Sequence, residues 1–136
     1  MKIVGGIGNG NLGFISAVLI IPSLGINAPI RFYIDTGASG TVIARKDAER
    51  VGIDKNKLKS LAVCGVGGMA TAYALPKSLL AFRFTDCMHI EYVNSAMVLD
   101  STAVGKQNYE APSLLGIDVL KNYSIRYTKN QVIIEK

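Results

Sequence analysis

Asp35 is the side chain in this sequence best placed to do chemistry. It stops the apolar run Phe32-Tyr33-Ile34 and is followed at once by Thr36, Gly37, Ala38 and Ser39. A strand built largely of apolar residues ends in solvent, so an acid set directly against it is expected to sit partly buried at the strand's end. A carboxylate there is costly without partners. The turn offers them, because its backbone N–H groups and the hydroxyls of Thr36 and Ser39 can point back toward Asp35, and Gly37 lets another chain approach closely. A hydrogen-bonded, partly buried carboxylate is a candidate general acid or base. Taken alone, the same three residues also describe an Asx-type turn at a strand end.

Other chemistries find less support. His89 is the single histidine; it excludes multi-histidine metal sites, and no serine has the context of a nucleophile elbow, which argues against a Ser-His-Asp triad. Beside an exposed turn, His89 reads as structural or solvated. The segment Gly65-Val66-Gly67-Gly68 looks at first like a phosphate cradle. No helix N-terminus and no Lys-Ser or Lys-Thr pair follows it, so that reading fails on context. Cys64 and Cys87 form no closely spaced metal or redox pair, which points to a reduced, intracellular chain. Both could lie on neighbouring strands, so a bridge between them stays open. No metal and no cofactor is expected.

The elements that must position Asp35 can be read from the pattern. Residues 13–21 are β-branched and apolar enough for a buried strand. Residues 22–29 carry Gly25-Ile26-Asn27-Ala28 as a turn, and residues 30–34 return antiparallel to deliver Asp35. Thr41-Val42-Ile43 leaves the loop as a short strand. Residues 44–51 form a helix ended by Gly52, with Ala44, Ala48 and Val51 on its inner face. Two apolar arms, 61–64 and 70–75, flank a tip with three glycines in four residues, which predicts a hairpin. Residues 79–84 and 89–99 supply further strands, and residues 100–111 a polar surface loop. The chain then returns through Pro112 to Gly116, and residues 117–122 form a short helix with Asp118 near its start as a cap. Residues 123–127 and 131–135 make a terminal hairpin.

Length and composition fit one domain over residues 1–136. With 49% hydrophobic and 18% charged residues and 14 glycines, the chain reads as ordered and turn-rich. The net charge of +5 invites a nucleic-acid reading. The cations are scattered, though, without interleaved aromatics, and a solvated helix face explains them better; no nucleic-acid partner is expected. The apolar run from Phe14 to Ile21 is too short to span a bilayer, and glycines and asparagines interrupt the region before it, so we expect a cytoplasmic protein without a membrane partner.

The stretch from Phe32 to Ile43 resembles the active-site loop of retropepsin-like aspartic proteases. Leu114-Leu115-Gly116-Ile117-Asp118 resembles the later element of that family that crosses behind the loop, and the Gly-rich hairpin lies between the two, so the likeness covers roughly residues 13–136. The ending from Gly116 to Ile134 is more similar to cellular members, such as the protease-like domain of ubiquitin-shuttle proteins, than to the short viral enzymes. The resemblance implies an all-β, acid-protease closed β-barrel with a flap hairpin and one or two short helices. It also implies an aspartic endopeptidase with Asp35 catalytic and Thr36, Gly37, Ala38 and Ser39 in support: Thr36 in a reciprocal grip between subunits, Gly37 offering a carbonyl to the peptide, Ser39 beside its backbone. Val42, Pro112 and Leu114 fall where the family lines its pockets, Tyr33 adds an aromatic wall, and Val66, Gly67, Gly68 and Met69 form the flap tip. Apolar pockets imply hydrophobic residues around the scissile bond of a peptide or unfolded protein.

Hydrolysis by this route needs two carboxylates sharing a proton, since one cannot both activate water and protonate the leaving amine. The Asp-Thr-Gly triplet occurs once, and Asp118 reads as a cap. The inference is a symmetric homodimer in which two Asp35 side chains meet, with the terminal strands as candidate interface. The alternative is a dimeric module of the same fold that holds peptides without cutting them.

Overall fold

The computed structural model describes residues 1–65, 68–100 and 111–136, with backbone alone for residues 64, 65, 68 and 69. Among these residues the strands are β1 (Lys2–Ile7), β2 (Gly13–Ile21), β3 (Ile26–Ile34), β4 (Val42–Ala44), β5 (Lys59–Gly65), β6 (Gly68–Ala74), β7 (Ser78–Arg83), β8 (Met88–Val93), β9 (Met97–Asp100), β10 (Leu114–Leu115), β11 (Ser124–Tyr127) and β12 (Gln131–Glu135). Two short α-helices, α1 (Arg45–Val51) and α2 (Ile117–Leu120), complete the set. None of the described helices is long and apolar enough to cross a membrane.

The mostly-β class holds, and one sheet joins all twelve strands. Its order is β11-β12-β1-β2-β3-β10-β4-β9-β6-β5, with β7 branching from β2 and β8 from β7. Among the described residues hydrogen bonds do not close this sheet on itself, so the ladder does not form the closed barrel expected. Strict alternation builds the core. In β2, Ile15, Ala17, Leu19 and Ile21 are buried, and in β3 Ile30, Phe32 and Ile34 meet them. Phe32 and Phe82 are almost wholly enclosed, each worth roughly 2–3 kcal/mol of burial.

Several boundaries differ from expectation. β3 begins at Ile26, because Gly25 takes a left-handed conformation (φ 67°) directly after a 3-10 turn at Pro22–Leu24 and reverses the chain in fewer residues. Residues 89–99 are two strands, β8 and β9, instead of one. The glycine-rich start is itself a strand: β1 pairs with β12 from Lys2↔Glu135 to Gly6↔Gln131, and with β2 through Gly6↔Phe14. Its glycines answer a packing demand, since a Cβ on Gly5 would lie 2.1 Å from the Phe14 carbonyl oxygen and one on Gly6 2.6 Å from the Phe14 ring. Cys87 is free and exposed, so it forms no bridge.

Candidate active site

β10 is the element on which the site is built. Two residues long, it lies between β3 and β4, parallel to the first (Leu114↔Tyr33, Leu115↔Ile34) and antiparallel to the second (Leu114↔Val42). The Tyr33 N–H donates to the Ser113 carbonyl at 2.9 Å and the Asp35 N–H to the Leu115 carbonyl at 3.1 Å. β10 therefore grips the chain on both sides of the β3 end and fixes where Asp35 leaves the sheet.

Asp35 is partly exposed, as expected of an acid at a strand end. Its Oδ1 accepts the Gly37 N–H at 2.9 Å, and its carbonyl accepts the Ala38 N–H at 3.2 Å, closing the turn. The wider set of donors expected around it is not assembled: among the described residues no hydrogen bond joins the hydroxyl of Thr36 or Ser39 to this carboxylate. Thr36, Gly37 and Ser39 face solvent, while Ala38 is half-buried and its carbonyl accepts the Ile117 N–H at 2.8 Å.

Asp118 has a different task from the cap expected of it. Gly116 occupies the cap position of α2. The Asp118 carboxylate accepts the Thr41 N–H at 3.0 Å, the Thr41 hydroxyl at 2.9 Å and the Val119 N–H at 3.0 Å. Thr41, itself buried, also accepts the Gly116 N–H at 3.2 Å on its hydroxyl oxygen. The loop exit is thus clamped to the segment that crosses behind it. Gly116 is required there by close approach, since a Cβ would lie 2.5 Å from the Gly40 backbone and 3.0 Å from the Ala38 carbonyl oxygen. On the far side of β10, buried Ser113 accepts the Ala44 N–H at 2.9 Å and donates to Asp47 at 2.6 Å. Asp47 is held in turn by Arg50 at 3.1 Å, whose guanidinium also reaches the Pro29 carbonyl at 3.0 Å. Thr41, Ser113 and Asp47 escaped the sequence reading because their partners lie 66 to 77 residues away.

Three residues expected to line pockets come together. Tyr33, Leu114 and Val42 are consecutive partners across β3, β10 and β4, so their side chains share one face. The row continues to Phe14 on β2 and Met97 on β9. All five are half-buried, on the face opposite to fully buried Phe32 and Ile43. The Tyr33 ring lies 5.7 Å from that of Phe14, over which the Arg31 guanidinium sits at 4.5 Å. Pro112 is half-buried immediately before β10. The hairpin expected at the Gly-rich tip is present, as β5 and β6 pair from Lys59↔Ala74 to Gly65↔Gly68. Gly68 and Met69 begin β6 at its far end, whereas Val66 and Gly67 lie outside the described residues.

A family profile described as Aspartyl protease matches residues 23–119. The structure is similar to that of a retropepsin-like aspartic protease from Rickettsia conorii, with a TM-score of 0.61 at 21% identity, covering 98% of this chain and 90% of the other. It is also similar to EIAV protease in complex with the inhibitor HBY-793, with a TM-score of 0.45 at 16% identity over 79% of this chain and 86% of that one. Comparison with curated proteins finds no match. The profile spans well over half the chain and contains both the Asp35 loop and the segment that clamps it; the chain belongs to the aspartyl protease family and shares the fold of a retropepsin-like enzyme.

Proposed function

We propose that the protein is an aspartic endopeptidase whose active site forms when two copies bring their Asp35 side chains together. The observation that carries this reading is the state of the Asp35 carboxylate: rigidly delivered by β3 and β10, partly exposed, and holding a single hydrogen bond among the described residues. It is the one acid in an Asp-Thr-Gly triplet, and Asp118 is fully engaged as a clamp, so the second carboxylate must come from a second subunit.

Two carboxylates within about 3 Å cannot both ionise readily, and they titrate as a pair holding one proton. The ionised member takes a proton from a bound water as that water's oxygen attacks the peptide carbonyl carbon, and the protonated member donates to the carbonyl oxygen. Collapse of the tetrahedral adduct breaks the C–N bond, with a proton passing to the leaving amine. Water is the nucleophile, so no acyl-enzyme forms and no cofactor is needed. Thr36 grips the partner loop, the Gly37 carbonyl and Ser39 hold the substrate backbone, and Ala38 supports the turn. Tyr33, Val42, Leu114 and Pro112 form apolar pockets that favour hydrophobic residues beside the cut. Gly68 and Met69, at the described end of the β5–β6 hairpin, belong to a flap that closes over the peptide. Free, exposed Cys87 fits a reducing, cytoplasmic setting.

The test is incubation of the full chain with an unfolded protein at mildly acidic pH, with and without a pepstatin-type inhibitor. Cleavage blocked by the inhibitor and absent in Asp35→Asn is expected. An unmodified chain that retains peptides uncut would favour the non-catalytic dimeric binding module, and equal cleavage by Asp35→Asn would remove Asp35 from the mechanism.

A further inference from the structure

The sheet turns an apolar face outward well away from Asp35. In β7 Leu80 and Phe82 point into the core, and in β8 His89 and Glu91 are the less exposed alternates, which leaves the other residues on the outer side. Register aligns these into rows: Val18, Ala81 and Ile90 in one, and Ile20, Leu79 and Tyr92 in the next. Ile90 is 48% exposed, Tyr92 65% and neighbouring Met88 59%. β8 pairs with β7 alone, so its other edge has no strand partner among the described residues. Along this six-residue edge Met88, Ile90 and Tyr92 are exposed and apolar while His89 and Glu91 turn to the other face, and a strand edge without proline or lysine inside it is a template for a further strand.

Charge decides what fits there. Two grooves flank the face, one of about 410 Å³ containing Lys77 and one of about 270 Å³ containing Arg83, and no carboxylate lines either. Lys77 lies 5.2 Å from the Tyr92 ring centroid, so its charge is held at the edge of the patch. Lys77 and Arg83 are six positions apart at the two ends of β7, about 20 Å at ~3.3 Å per residue. A second copy laid on this face would bring cations against cations. A segment with carboxylates at both ends and apolar residues between would meet opposite charge at each end.

We propose that the outer face of β7 and β8 is a docking site for an extended segment of a protein partner, apolar in its middle and acidic at both ends, which adds to the β8 edge. This site lies on β7 and β8, apart from the β3, β10 and β4 strands that carry Asp35 and its neighbours, and does not depend on hydrolysis. The experiment uses the full chain carrying Asp35→Asn, so that cleavage cannot consume the probe, and a fluorescein-labelled peptide of sequence Glu-Glu-Val-Thr-Val-Thr-Val-Glu-Glu read by fluorescence anisotropy. Binding is expected to weaken at least tenfold in Ile90→Ser/Tyr92→Ser and in Lys77→Glu/Arg83→Glu, both substituted at exposed positions, with thermal melting confirming that each folds. A peptide with lysines in place of the glutamates should bind Lys77→Glu/Arg83→Glu in preference to the parent. No binding to the parent, unchanged affinity in either variant, or equal binding of both peptides to the parent would overturn the proposal. So would a fall in sedimenting mass on Ile90→Ser/Tyr92→Ser, which would assign the face to a second copy.

Discussion

Asp35 and Asp118 each follow an apolar residue and lie two positions from a glycine, yet the fold uses them in opposite ways. Asp118 accepts three hydrogen bonds, two of them from Thr41 across 77 residues of sequence. The Asp35 carboxylate accepts one among the described residues, from its own turn. A carboxylate saturated by donors holds the structure together and has little left to offer a water or a peptide. One that is fixed by its backbone and left open at its side chain is available to a partner. The position of Asp35 is set by main-chain bonds to β10, so its side chain is not needed to hold the loop.

That contrast can be broken experimentally. The largest effect is expected from Asp35→Asn, which should lower the cleavage rate by about 10³-fold or more, the range for loss of a general acid or base, while thermal unfolding shifts little. Asp118→Ala should behave in the reverse order. It leaves the buried Thr41 hydroxyl and N–H unpaired, and at roughly 1–3 kcal/mol per unsatisfied group the loss should reach about 3 kcal/mol in denaturant unfolding; equal stability of the two variants would erase the distinction. Gly116→Ala tests the same clamp by steric means, with about 2 kcal/mol expected for overpacking against the Gly40 backbone.

The smallest effect concerns a third carboxylate. Glu91 faces inward from β8, where burial pushes its carboxyl up, but the hydrogen bonds from Tyr123 and from His89 at 3.0 Å, with Lys136 nearby, hold it on balance below the ordinary value of 4.5. Burial and the Glu91 charge together push the Tyr123 phenol up. A lowered carboxyl pKa means that the folded state prefers the ionised form. The stability it supplies is therefore present above pH ~4.5 and fades as pH falls through the depressed folded value. Glu91→Gln should flatten the acid limb of a melting-temperature profile while leaving neutral-pH cleavage unchanged. An unaltered acid limb would remove Glu91 from the acid sensitivity of the fold.

The parts legible in the sequence are those whose signal is local. β2 shows through its β-branched, apolar run and the strand delivering Asp35 through the turn before it, α1 through its apolar face and terminal Gly52, and the final hairpin through two alternating runs around a turn. The Asp35 turn was visible because Asp, Thr and Gly are adjacent. β1 was not, since Gly5, Gly6 and Gly8 carry no side-chain pattern, and the reason for them is the nearby Phe14 and Tyr33. The clamp was equally hidden. Asp118 sits where acids commonly cap a helix, and only the threading of β10 reveals that its carboxylate reaches Thr41. The hydroxyls of Thr36 and Ser39 show the opposite error: neighbours in sequence suggested donors to Asp35 that the turn directs to solvent.

The threading of β10 also sets an order of events. Tyr33 and Leu114 are adjacent in the sheet but separated by most of the chain, so the entropy of closing that loop must be met before the contact forms. While the chain is being synthesised, the Asp35 turn leaves the ribosome long before the two residues that orient it. A nascent chain ending short of Ser113 carries Asp35 but lacks the strand that gives it direction. Assembly of the site is thereby deferred until nearly the whole domain can fold around it.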